Sequence, residues 1–258
     1  MKRGGILLLM MVVAATARAA SDNAADLAYS DGWQTGDNGG SGFGAWTLQT
    51  STASPAANGL FIGSSNGNGF GNGPGIDSGG SAWGLYANNG QQFPGGASAL
   101  RGFSLGIGQK LSIDMDNGFI DSGRTVALRL LVGGAIRFEL QFVGGNSNYS
   151  VVDGGGTVDT GLPFTDGGLH VEFTLTGVDT YSVGITRLAD SAVFAHSGTL
   201  DFAGSLDGID GLQLVNGGAG SGGDHDLFFN NLAIVPEPST VLLVGLGLLS
   251  VATLRRRS

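Results

Sequence analysis

Ile136-Arg-Phe-Glu-Leu-Gln-Phe142 sets an apolar side chain at every second position and a charged or amide side chain between them. Successive side chains of an extended chain point to opposite faces, so the stretch predicts a β-strand with one face in a core and the other toward water. Gly133-Gly134 precedes it and Gly144-Gly145 follows it, and glycine supplies the positive φ that tight hairpin turns require. Related runs lie on either side: Leu111-Ser-Ile-Asp-Met115, Val126-Ala-Leu-Arg-Leu130, Val171-Glu-Phe-Thr-Leu175 and Tyr181-Ser-Val-Gly-Ile185, the last two separated by a turn at Gly177-Val-Asp179. Asp116-Asn117-Gly118 carries the Asn-Gly pair of a type I′ turn and predicts a hairpin there. Upstream, Gly44-Ala-Trp-Thr-Leu-Gln49, Gly59-Leu-Phe-Ile62 and Trp83-Gly-Leu-Tyr-Ala87 are long enough for strands and too short for helices. One-sided strands at roughly ten-residue spacing predict an all-β fold, antiparallel sheets stacked as a sandwich. No amphipathic helix is expected in this part of the chain.

Composition agrees and narrows the function. Glycine contributes 49 of 258 residues, but no Gly-X-Y period exists, so collagen is excluded. Aspartate outnumbers glutamate 18 to 3, and aspartate favours turns whereas glutamate favours helices. There is no cysteine, hence no disulfide and no thiolate metal site. Three basic residues lie in each terminal segment and one acid in the tail, which leaves the body 6 Lys and Arg against 20 Asp and Glu, a net of −14. That balance argues against nucleic acid or anionic lipid as a partner.

Both ends carry membrane-directed patterns. Lys2 and Arg3, an apolar run over residues 4–15, and Ala17-Arg18-Ala19 form the n-region, h-region and small-x-small site of a signal peptide, with signal peptidase cutting after Ala19. At the other end stand Val235-Pro236-Glu237-Pro238, an apolar run over residues 241–254, and Arg255, Arg256 and Arg257. From Ser239 the run has 16 residues, about 24 Å as a helix. This is short of a ~30 Å hydrocarbon core, and arginine side chains can snorkel across the difference. The arginines keep the cytoplasmic side and leave the body outside. The prolines are expected to hold the junction extended and outside any preceding strand. The division is a signal peptide over 1–19, a glycine-rich body over 20–234, and a tail over 235–258.

The tail resembles the PEP-CTERM sorting signal of Gram-negative bacteria. The resemblance implies recognition of Pro236-Glu237-Pro238 by a membrane-embedded exosortase, a transmembrane helix before processing, and delivery to the outer surface or the exopolysaccharide matrix. Asp226-Leu-Phe-Phe-Asn-Asn-Leu-Ala-Ile-Val235 is similar to the closing strand of concanavalin-type jelly rolls. The islands around Trp46, Ile62 and Trp83 are similar to a glycine-rich module of other PEP-CTERM proteins, a similarity that implies no activity.

Chemical motifs are few. Gly63-Ser-Ser65-Asn-Gly67 fits a nucleophile-elbow pattern, but Asn-Gly follows where the elbow needs a helix. Gly218-Ala-Gly-Ser-Gly-Gly223 fits a dinucleotide fingerprint yet lies between strands. Glu139 and Glu172, the body's only glutamates, sit at outward strand positions and lack the paired-carboxylate signature of jelly-roll glycosidases. His170, His196 and His225 show no zinc spacing. Asp114 with Asp116, and Asp224 with Asp226, are the acidic clusters from which a calcium ion would take oxygen ligands; no cofactor is otherwise expected. Trp46 and Trp83 are expected in the core, while Trp33 in Ser30-Asp-Gly-Trp-Gln-Thr-Gly36 is the candidate for stacking on a sugar. The expected function is an exported, non-enzymatic surface or exopolysaccharide-matrix protein with a structural or glycan-associating body. The alternatives are an extracellular polysaccharide-active hydrolase and an ice- or mineral-surface binder.

Overall fold

The computed structural model describes residues 19–51, 57–68, 75–88, 96–200 and 208–236. The signal-peptide segment through residue 18 and the tail beyond Pro236 therefore lie outside the described residues. Among those described, fifteen strands form two antiparallel sheets. The first sheet runs β13 (Val193–Thr199), β12 (Thr180–Arg187), β11 (Leu169–Leu175), β6 (Gln109–Asn117), β15 (Leu227–Pro236), β4 (Ala82–Ala87), β3 (Asn58–Gly63), with β1 (Ala20–Asp22) also on β15. The second runs β10 (Gly156–Pro163), β9 (Asn148–Asp153), β8 (Ala135–Val143), β7 (Thr125–Val132), β14 (Ile209–Asn216), β5 (Ala97–Leu105), β2 (Trp46–Thr50).

Each expected strand is present, and the sandwich has the physical origin read from the alternation. The inner faces supply Leu111, Ile113 and Met115 from β6, Leu128 and Leu130 from β7, Phe138 and Leu140 from β8, Val171 and Phe173 from β11, and Leu212 and Leu214 from β14, all in one buried cluster. Aromatic rings lock its middle: Phe138 meets Phe173 edge-on at 5.1 Å and Tyr181 at 5.2 Å. Gly133 and Gly134 both have positive φ, 55° and 83°, and close the two-residue β7–β8 hairpin as predicted.

Three local readings are corrected. Asn117-Gly118 is not a hairpin: β6 pairs with β11 and β15, and residues 118–124 carry the chain across to the second sheet. Gly118 serves close approach instead, since a Cβ there would strike the backbone oxygens of Asp224 and Asn68. On β8 the register skips Arg137, with Leu130 opposite Phe138 and Leu131 opposite Ile136. This bulge reverses the alternation and turns Ile136 outward. Finally, β15 does not stop before the prolines, because Val235 and Pro236 pair with Lys110 and Gln109. A proline is tolerated at a strand's last residue, where its missing N–H interrupts no further ladder. The body thus extends past the boundary placed at residue 234.

β15 spans the first sheet's centre through one irregularity. One of its edges faces β6 throughout; the other is shared, β4 taking Leu227, Phe228 and Phe229 and β1 taking Leu232, Ala233 and Ile234. The change falls at Asn230-Asn231, where the register shifts and Asn231 adopts a φ of 54°. Asn230 is fully buried, with its Oδ1 accepting from the Ala24 N–H and its Nδ2 donating to the carbonyls of Ile76 and Ser81.

Candidate functional site

The outer face of the second sheet is polar along one continuous row. Arg129 on β7 is ion-paired with Glu139 on β8 and reaches Gln213 Oε1 on β14 at 3.4 Å. Gln213 Nε2 donates to Ser98 Oγ on β5 at 3.5 Å, and Ser98 Oγ to Gln49 Oε1 on β2 at 3.4 Å. These contacts are long and weak, and they line amide and hydroxyl groups along a row that crosses five strands. Where the row meets the β8–β10 edge, a cleft of about 540 Å³ opens, lined by Gln141, Asn146, Asn148, Ser150, Thr157 and Asp159 among others. Asn148 Nδ2 donates to both oxygens of Asp159 at 2.9 and 3.2 Å, which fixes the carboxylate at the cleft wall. The arrangement offers donors and acceptors at strand spacing, a surface suited to a polyhydroxylated ligand.

The outer face of the first sheet carries a chain of polar contacts. His170 Nδ1 lies 2.6 Å from Asp114 Oδ1, Asn231 Nδ2 donates to Asp114 Oδ2 at 2.7 Å, and Ser78 Oγ donates to Asn231 Oδ1 at 2.6 Å. The hydrogen bond to Asp114 raises the His170 pKa against the opposing effect of burial. Beside it Lys110 Nζ contacts Glu172 Oε1 at 2.9 Å, at the rim of a cleft of about 380 Å³. Asp114 has both oxygens engaged by protein donors. Asp116 is buried and accepts from Asn68 Nδ2 at 2.9 Å. Burial pushes its pKa up to about 8, and burial next to Asp224 pushes Asp226 up to about 7.

The calcium candidates therefore do not converge. Among the described residues, no group of three or more His, Cys, Asp or Glu is placed to hold a metal. Asp114 and Asp116 lie on β6, tied to Asn231 and Asn68 respectively, and Asp224 is exposed on a 3-10 turn (Gly223–His225). Trp33 is corrected outright. It is 4% exposed and packs edge-on against Trp46 at 5.1 Å and beside Trp83 at 6.1 Å. Three large aromatic surfaces are better satisfied by one another than by water, so no tryptophan stacking platform faces solvent. Glu139 and Glu172 stand on the outer faces of opposite sheets and form no acidic pair across a cleft. Ser65 is buried, with its Oγ accepting from the Ile76 N–H at 3.0 Å. The polar row was not found in the sequence, because Gln49, Ser98, Arg129 and Gln213 are separated widely and meet only through strand order.

Of the sorting residues, Val235 and Pro236 belong to β15. Glu237, Pro238 and Arg255 to Arg257, with Ala17 of the signal site, lie outside the described residues. Ala19 is described and exposed. Among the described residues no helix is long and apolar enough to cross a membrane.

The fold and faces define an antiparallel β-sandwich with jelly-roll character. Residues 235–257 match the family model of the PEP-CTERM protein-sorting motif, which implies an exported, envelope-associated protein processed by exosortase. No curated protein matches the chain. Among solved structures the body is similar in fold to a sialidase, at 11% identity and a TM-score of 0.53, over 85% of this chain and 19% of that one. The chain thus spans about a fifth of the sialidase's length. A protein of unknown function from Shewanella oneidensis MR-1 is similar nearly end to end, at 13% identity and a TM-score of 0.51, over 91% of this chain and 95% of that one.

Proposed function

We propose that the chain is a matrix or surface protein of a Gram-negative envelope, held by its tail helix until exosortase processes it, whose body associates with glycan without acting as an enzyme. The observation that carries the reading is the amide- and hydroxyl-lined cleft at the end of the Glu139–Arg129–Gln213–Ser98–Gln49 row. Sugar hydroxyls are both donors and acceptors, and such a face can pair with them through several weak contacts at once. The hydrolase alternative loses support because the two body glutamates stand on opposite sheets.

The test is binding of the purified mature protein to the producer's exopolysaccharide, with and without a chelator. Binding is expected, unchanged by the chelator, and weakened roughly tenfold, about 1.4 kcal/mol, by Gln141→Ala with Thr157→Ala. Release of shortened glycan would convict the reading of missing an enzyme. Undiminished binding of the double variant would move the site elsewhere.

A further inference from the structure

We propose that the end of the sandwich from which the tail leaves is a membrane-contact surface, where Ile107 and Val178 rest in the interfacial layer of the bilayer while the tail is inserted. The inference rests on the reading above that residues 241–254 anchor the protein before processing.

Strand direction defines that end. β15 finishes there at Pro236, β1 begins there with Ala20 opposite Ile234, and so the chain enters and leaves the body on one side. The β5–β6, β7–β8 and β11–β12 turns lie at the same end. Hydrogen bonds join them: the Gly108 N–H donates to the Leu175 carbonyl at 2.7 Å, the Gly208 N–H to the Val178 carbonyl at 3.3 Å, and the Gly133 N–H to Asp210 Oδ2 at 2.9 Å. Arg137 from β8 is ion-paired with Asp179 of the β11–β12 turn.

The surface these turns make is unusually apolar. Seven large apolar side chains among the described residues are exposed, and four of them stand at this end: Ile107 (60%), Val178 (54%), Val235 (50%) and Ile136 (39%). Single exposed aliphatics scattered over a surface need no explanation, but a majority gathered at one end does. The acidic groups between them are engaged, Asp179 by Arg137 and Asp210 by the Gly133 amide. Among the described residues, apolar tips thus project from an end where Asp179 and Asp210 are each engaged by a protein donor.

Chain length specifies what covers them. Four residues lie between Pro236 and Val241, five steps that span at most ~17 Å when fully extended. An inserted tail therefore holds this end against the headgroup layer. Val193 lies at the far end of β12 and β13, a further ~20–25 Å along the strands. Aliphatic tips at this depth gain by leaving water for the interface, and they need no anionic lipid to do so.

The chain has no cysteine, which makes a direct test clean. Ile107→Cys, Val178→Cys and Val193→Cys are made singly in the full-length protein, labelled with an environment-sensitive dye, and reconstituted into phosphatidylcholine vesicles with or without nitroxide lipid. All three sites are exposed, so unchanged thermal unfolding of each variant confirms an intact body. The dyes at 107 and 178 should shift to the blue and be quenched several-fold more strongly than the dye at 193. Equal, weak quenching at all three sites in protein that floats with the vesicles would overturn the contact and leave the anchor standing. Protein that fails to float would overturn the anchor, and the contact with it. A response at 107 and 178 that appears only when exosortase is co-reconstituted would assign the surface to that enzyme and overturn lipid as its occupant.

Discussion

Asp116 is a carboxyl group held out of water. Asn68 Nδ2 donates to its Oδ1 and the Ser65 hydroxyl also favours its charged form, yet its Oδ2 and Asn68 Oδ1 are buried without hydrogen-bond partners and burial prevails. A retained proton turns one of those two acceptors into a donor, and its pKa near 8 means the folded chain keeps that proton in neutral solution. An unfolded chain releases it near pH 4. Unfolding therefore releases protons between those limits, and stability falls as pH rises through them, with Asp226 adding the same sign up to about pH 7. Asp116→Asn should flatten the decline of the denaturation midpoint between pH 5 and pH 8 and raise stability at pH 8 by about 1–2 kcal/mol. An unchanged slope would show that Asp116 ionises freely. Elsewhere Arg101 is fully buried, ion-paired with Asp22, donating to the carbonyls of Gly44 and Gly39, and lying over the rings of Phe43 and Trp46. Arg101→Ala should cost about 3–5 kcal/mol in a urea melt, because it strands a buried aspartate. Trp33→Ala should cost a similar ~3–5 kcal/mol and leave glycan binding per folded molecule unchanged. Neither residue announces its role in the sequence: Arg101 follows an ordinary Ala-Leu pair, and Trp33 sits among turn formers that ordinarily mark exposure.

β15 shows what one element can coordinate. Its bulge lets the strand change partners from β4 to β1, and Asn230 ties both neighbours and the 76–81 loop to the strand. Asn230→Ala leaves the Ala24 N–H without its acceptor and takes one donor each from the carbonyls of Ile76 and Ser81, which keep Asn231 Nδ2 and the Ser78 N–H. It should cost about 1–3 kcal/mol and speed amide hydrogen exchange around Ala24 more than in β8. Uniform acceleration would show global loosening instead. Strands were readable where one face meets water and the other a core, as in β8, β11 and β12. β14 was missed because both of its faces are covered, the outer one by the polar row, so its residues lose the alternation. β10 and β13 were missed for the opposite reason: they are sheet edges whose residues are largely exposed. The Asn-Gly pair misled because glycine was needed for close backbone approach, a demand that turn chemistry cannot distinguish from positive φ.

For the whole molecule the consequence lies in processing. The sorting motif starts inside the last strand, so the folded body reaches up to Pro236, directly before Glu237. Replacing Pro236 and Glu237 with alanine should leave the fold intact and the protein membrane-bound with its full tail, read by fractionation and mass. A variant still shortened and released would refute the sorting role of those residues. The chain's linear order was enough to establish the all-β class, the sandwich, the acidic body and the sorting tail, because strand alternation and the C-terminal motif are local patterns read without neighbours. Which side chains meet was settled by folding alone. Strand order in the sheets brings Arg129 to Gln213 and gathers Ile107, Val178 and Val235 at one end, while burial takes Trp33 from the surface. These facts depend on contacts between residues far apart in sequence, where local periodicity carries no information.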